Sequence, residues 1–142
     1  MIGILDYGMG NLRSVQKALE FIGQKAVISG DTDVLDGCER LILPGVGSFA
    51  AGMAEMERTG LSAYIKARAA DTKILGICLG MQFLLGKSFE EGETAGLGFV
   101  QGSVVRFTEG KVPQIGWNGV FDLNTPLFDG IEAGTRFYFV HS

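Results

Sequence analysis

Residues 73–85 carry the feature that narrows the fold most. An apolar, strand-like run from Lys73 to Ile77 passes without a spacer into a helical run, Leu79 to Leu85, across Gly76-Ile77-Cys78-Leu79-Gly80. Glycines two before and two after the central residue let strand and helix approach closely at a sharp turn. Such a turn thrusts its central side chain out of the sheet and can hold that residue in a strained backbone state. Such an elbow fits a chain that alternates strands with helices.

The first half does so. Ile2 to Leu5 is a short apolar run that ends in Asp6 and the turn Tyr7-Gly8-Met9-Gly10, and it reads as a buried strand. Asn11 is a favourable N-cap for a helix in which Leu12, Val15, Leu19 and Ile22 share a face, closed by Gly23. Lys25 to Ser29 is a second strand, and Val34 to Cys38 a short helical or irregular connection. Arg40 to Leu43 is a third strand, stopped by Pro44 and followed by the tight loop Gly45-Val46-Gly47. Ser48 can cap a helix carrying Phe49, Met53 and Met56, and Gly60 separates it from another carrying Leu61, Tyr64, Ile65 and Arg68. Strands alternating with helices imply an α/β fold, a parallel sheet covered on both faces. After Gly92 short β-prone pieces replace this pattern: Val100, Val104-Val105, Phe107, Ile115, Val120-Phe121 and Phe137 to Val140. They read as a mixed extension of the sheet. The 142 residues carry 46% hydrophobic side chains and no linker-like stretch, which predicts one domain over 1–142.

Cys78 falls at the start of a helix, whose unpaired N–H groups favour negative charge. A thiolate held there can attack a carbonyl carbon. The bland alternative is a small buried thiol between strand and helix. Cys38 lacks such a setting and reads as structural. A nucleophile of this kind needs an oxyanion hole. The Leu79 N–H, just after the cysteine, is one natural donor. The loop Gly45-Val46-Gly47 leaves a neighbouring strand and can offer a second, because glycines let a peptide rotate and turn its N–H inward.

Charge and hydropathy remove several classes. Twelve basic against 16 acidic residues, with no basic cluster, argue against nucleic acid as a partner. No apolar run approaches the roughly 20 residues a membrane span needs. The N-terminus lacks a basic region and a cleavage site, and two cysteines in unlike contexts read as free thiols, so the expected location is the cytoplasm. Neither a metal nor an organic cofactor is expected.

Five strings carry a family resemblance. Asp6-Tyr7-Gly8-Met9-Gly10-Asn11-Leu12, Leu43-Pro44-Gly45-Val46-Gly47-Ser48-Phe49 and Gly76-Ile77-Cys78-Leu79-Gly80-Met81-Gln82 resemble the opening loop, the oxyanion strand and the nucleophile motif of class I glutamine amidotransferases. Val112-Pro113-Gln114-Ile115-Gly116-Trp117-Asn118 and Tyr138-Phe139-Val140-His141-Ser142 are similar to strings of the amidotransferase subunit of imidazole glycerol phosphate synthase. The resemblance implies a flavodoxin-like parallel or mixed sheet with helices on both faces. It implies glutamine hydrolysis through a Cys78 thioester, with ammonia passed to a (β/α)8-barrel synthase subunit in histidine biosynthesis. Leu79 and Gly45 to Gly47 would serve the oxyanion. Gln82, the backbone around His141 and Ser142, and Glu90 would hold the substrate, with Glu91 an equally legal alignment for Glu90. Asn11, Trp117 and Tyr138 would face the synthase, although half-buried packing is an equal reading for Trp117 and Tyr138. Gln114, where many members carry His, is given no role.

The resemblance also places a proton-relaying His, followed two residues later by Glu, in a motif beyond the Phe-Val-His-Ser string. His141 is the only histidine of this chain and matches the substrate loop. The chain is therefore expected to lack a C-terminal segment and, by itself, to be inactive. Two other classes compete. One is another cysteine-elbow α/β protein of the deglycase or chaperone type, which matches around the elbow alone and places an acidic residue close to the cysteine. The other is a non-catalytic nucleotide-binding module, weakened because Arg13 stands where a third glycine would follow Gly8 and Gly10.

Overall fold

The computed structural model describes residues 1–142. The chain divides into two compact units, Met1–Val105 and Arg106–Ser142. No helix is long and apolar enough to cross a membrane.

The first unit is an α/β fold around a four-stranded, all-parallel sheet. Its strands are β1 (Ile2–Leu5), β2 (Ala26–Ser29), β3 (Arg40–Gly45) and β4 (Lys73–Cys78), in spatial order β2-β1-β3-β4. The helices between them are α1 (Leu12–Phe21), α2 (Thr32–Asp36), α3 (Phe49–Arg58), α4 (Leu61–Arg68) and α5 (Leu79–Phe83). The two inner strands, β1 and β3, are buried along almost their whole length, as their continuous apolar runs require. The core gathers Leu5, Leu43, Phe49, Met56, Leu61 and Phe83.

Several boundaries follow from identifiable local physics. Asp31 caps α2 by accepting from the Asp33 N–H, and Ser48 caps α3 by accepting from the Ala51 N–H. Gly60 takes a left-handed φ of 76° that separates α3 from α4. Asn11 precedes α1 with a ψ of 64°, and its side chain makes no capping bond. β3 runs through Pro44 to Gly45 rather than stopping before the proline. Its pairing with β1 ends at Ile4–Ile42, so beyond that point the N–H that proline lacks has no β1 partner to miss.

The helix expected over Leu79 to Leu85 ends at Phe83. Leu85–Ser88 instead forms a strand, β5, at the centre of a separate three-stranded sheet with β6 (Thr94–Ala95) and β7 (Val100–Val104). The backbone ladder explains the change. The carbonyls of Phe83, Leu84, Leu85 and Gly86 accept from the N–H groups of Leu97, Val100, Gly98 and Gly96, which draws this stretch out of the helix.

The second unit is built on an antiparallel pair, β8 (Gln114–Gly119) with β9 (Arg136–His141). A short 3₁₀ turn, Pro126–Phe128, lies in the connection. The β-rich texture expected after Gly92 is present, but it forms two small sheets of its own rather than an extension of the parallel sheet. Phe107 and Val120-Phe121 lie outside any strand. No residue of 106–142 is fully buried.

Candidate active site

The elbow is assembled by close backbone approach. β4 ends at Cys78 and α5 begins at Leu79, with Cys78 at φ 56° and ψ −119°. That is a left-handed backbone for a residue with a Cβ, and it leaves the cysteine exposed. The glycines are required by contact. A Cβ at Gly76 would strike the Met81 backbone, and one at Gly80 would strike the Leu43 carbonyl oxygen. A Cβ at Gly45 would lie 2.6 Å from the Gly80 nitrogen. The parallel register sets Gly45 directly opposite Cys78, so the loop leaving β3 and the elbow leaving β4 meet at one edge of the sheet.

That loop is pinned on both sides. Before it, the Tyr7 hydroxyl donates to the Pro44 carbonyl oxygen at 2.7 Å. Tyr7 is buried, and burial pushes its phenol up to about 12. After it, a Glu90 carboxylate oxygen accepts from the Phe49 N–H at 2.8 Å, at the first residue of α3. The Glu90 N–H is itself held by the buried Ser88 hydroxyl. Between these pins Val46 is exposed and Gly47 adopts a φ of 89°. The Phe83 ring of α5 packs on Phe49 at 5.2 Å and edge-on to Tyr7 at 6.1 Å, so α5, α3 and the turn after β1 share one side chain.

The first unit therefore carries Cys78, Leu79, the Gly45-Val46-Gly47 loop, Gln82 and Glu90. Gln82 is half-buried on α5, one turn past the cysteine. Both Glu90 and Glu91 are exposed, and Glu90 is the one whose carboxylate reaches the end of the loop. Asn11 is exposed at the end of the turn that contains Tyr7. That turn is shaped by Gly8 and Gly10, both at positive φ, and by the Gly8 N–H bound to the Asp6 carboxylate at 3.0 Å.

The second unit carries His141, Ser142, Trp117 and Tyr138. His141 pairs with Gln114 across the two strands, and its ring lies 4.8 Å from Phe107 and 5.5 Å from Phe139. Trp117 and Tyr138 are directly opposed, with ring centroids 5.6 Å apart, and both are exposed. The Gln114 side-chain oxygen is shielded and has no hydrogen-bond partner.

Sequence reasoning passed over Tyr7. Its only signal was an aromatic residue just after the first strand, in the string otherwise notable for its glycines. Cys38 is buried, with its thiol 3.6 Å from the Val34 carbonyl oxygen, as a structural thiol would be.

Residues 4–142 match the family described as Glutamine amidotransferase class-I. The chain is 51% identical to the imidazole glycerol phosphate synthase subunit HisH of Geobacillus thermodenitrificans, over 100% of this chain and 70% of that protein. It is 49% identical to the subunit of the same name from Caldanaerobacter subterraneus subsp. tengcongensis, over 100% and 71%. To HisH 1 of Methanococcus maripaludis it is 45% identical, over 100% and 73%. A solved structure described as a glutamine amidotransferase superposes with a TM-score of 0.74 at 21% identity, over 98% of this chain and 70% of that one. That superposition bears on the fold alone.

Proposed function

The chain belongs to the class-I glutamine amidotransferase family, and from that premise we propose that it is the glutamine-hydrolysing subunit of an imidazole glycerol phosphate synthase. One observation carries the reading: about half of all positions are identical, along the whole chain, to relatives bearing that name. The exposed cysteine on a strained elbow supplies a chemistry that agrees with it.

In this reading the Cys78 thiolate attacks the side-chain amide carbon of glutamine. The new S–C bond pushes the carbonyl electron pair onto oxygen. The Leu79 N–H and an N–H from Gly45 to Gly47 receive that oxyanion, and preorganised donors of this kind typically supply ~10²–10³-fold in rate. Collapse expels ammonia, which leaves with a proton, and forms a thioester. Water cleaves the thioester to glutamate and frees the thiolate. Glu90 has the charge to hold the ammonium group of the substrate, and Gln82, one turn past the nucleophile, has an amide to bind it. Ammonia then serves a synthase subunit, for which a (β/α)8 barrel is the proposed fold. The exposed Asn11, Trp117 and Tyr138 are its proposed contacts. A biosynthetic role of this kind suits the cytoplasm.

Ammonia must leave with a proton, and general acid–base help is typically worth ~10²–10⁴-fold. Within residues 1–142 the single histidine, on β9, packs edge-on to Phe107 and tilted against Phe139. The His-x-Glu relay that the family resemblance implies is not among these residues. These 142 residues alone are therefore proposed to release glutamate at a small fraction of the family's rate. The test is glutamate release in the presence of the synthase subunit, from residues 1–142, from the same residues extended by a His-x-Glu segment, and from the extended form carrying Cys78→Ala. The extended form should turn over and its Cys78→Ala variant should not. Equal rates for the short and extended forms would show that another group relays the proton.

A further inference from the structure

The buried hydroxyl of Tyr7 has a single partner, and that partner is the carbonyl that opens the oxyanion loop. A trans peptide is planar, with its C=O and N–H pointing in opposite directions. Holding the Pro44 oxygen therefore fixes the direction of the Gly45 N–H, which points away from Tyr7. At the other end, Glu90 takes the Phe49 N–H and so fixes the Ser48–Phe49 peptide. Three peptides remain between the pins, those joining Gly45 to Val46, Val46 to Gly47 and Gly47 to Ser48. They are also where the backbone is least confined, with Val46 exposed and Gly47 at φ 89°.

We propose that Tyr7 is a positioning residue of the glutaminase site: its hydroxyl anchors the Pro44–Gly45 peptide, so that the loop opposite Cys78 presents its N–H groups in one fixed frame. The inference rests on the glutaminase reading above and adds a residue outside the nucleophile and its proposed oxyanion donors. Tyr7 touches no substrate; it acts through the backbone of Pro44. The anchor is stiff because the ring is buried and packs edge-on to Phe83. A donor frame that is already set does not have to reorganise as charge develops on the substrate oxygen, which is what makes such donors effective.

The variant is Tyr7→Phe, which removes the hydroxyl and keeps the ring. In the extended form with its synthase subunit, kcat for glutamate release should fall about tenfold, the scale of one neutral hydrogen bond, while KM stays put. A second measurement separates positioning from a general weakening of the structure. The aldehyde analogue of glutamine is captured when the Cys78 thiolate adds to its carbonyl carbon: an S–C bond forms, the C=O π bond breaks, and its electron pair moves onto the oxygen, which lies where the oxyanion would and takes up a proton to give the hemithioacetal. Tyr7→Phe should weaken capture of this aldehyde by the same factor as kcat. Glutamine affinity, measured in a Cys78→Ala background, should not change. An unaltered kcat overturns the proposal, and so does an equal loss of aldehyde and glutamine affinity. The parent reading is checked in the same preparations. If Cys78→Ala still releases glutamate, the glutaminase assignment falls and the anchor falls with it. If Cys78→Ala is dead and Tyr7→Phe turns over at the parental rate, the anchor alone is wrong.

Discussion

Burial pushes the Tyr7 phenol up to about 12 from an ordinary value of 10, and the sign of the consequence is fixed by linkage. Below pH 10 both the folded and the unfolded chain hold the proton, and the contribution to stability is complete. Between about pH 10 and 12 the unfolded phenol ionises first, so the folded state binds more protons and stability falls as pH rises. Tyr64, raised by burial and by its bond to Asp36, adds in the same direction. Urea unfolding followed from pH 9 to 12 should therefore show a steeper loss for the parent chain than for Tyr7→Phe. The glycines differ just as sharply. Gly80→Ala drives a Cβ into the Leu43 carbonyl and should cost roughly 1–3 kcal/mol or more, with loss of the elbow. Gly23→Ala meets open space and bears only the cost of its φ of 77°, about 1 kcal/mol. At this scale the sequence was legible where chemistry and spacing coincide, as at Cys78 and its two glycines. It was silent on Tyr7, because the hydroxyl's partner is a backbone carbonyl 37 residues away, and no residue type at position 44 would have announced it.

Among the elements, helix ends offer the clearest comparison. Ser48→Ala and Asp31→Ala each remove an observed cap and should cost about 1 kcal/mol by denaturant titration. Asn11→Ala removes no capping bond and should stay within about 0.5 kcal/mol. Residue type alone suggests a cap at Asn11, but the backbone there leaves the extended range that a capping side chain needs. The four parallel strands and the helices α1, α3 and α4 were readable because their apolar residues are continuous or fall at helical spacing and most of their breaks are marked by Gly or a capping residue. β5 was not. Leu84 and Leu85 continue the apolar pattern of α5, and only the distant ladder to residues 96–100 decides that Leu85 belongs to a strand. The small sheets of the second half escaped for the same reason: their partners are set by pairing, which a period of two cannot specify.

For the whole molecule, burial differs between the two units. The first contains every fully buried side chain, whereas none lies in 106–142. Amide hydrogen exchange should therefore be slowest in β1 and β3 and much faster in β8 and β9, since protection follows buried contacts. Uniform protection across both units would contradict this. The exposed Trp117 is the only tryptophan, so its emission reports on its surroundings without interference. A blue shift on adding the synthase subunit is the expected sign that it becomes covered there. An unchanged spectrum in a formed complex would remove Trp117 from the proposed contacts.

The backbone of Cys78 also sets activity and robustness against each other. A non-glycine residue at φ 56° costs about 1–3 kcal/mol, and glycine should recover about 2 kcal/mol of that while giving back roughly 0.5–1 kcal/mol in chain entropy, a net gain of about 1 kcal/mol. Cys78→Gly should therefore melt about 2–5 °C above the parent, while having no sulfur with which to react. Selection for heat resistance alone would then enrich chemically dead chains. A library of this protein sorted by thermal survival must be counter-screened for thiol labelling, or its winners will be those that have abandoned the reaction.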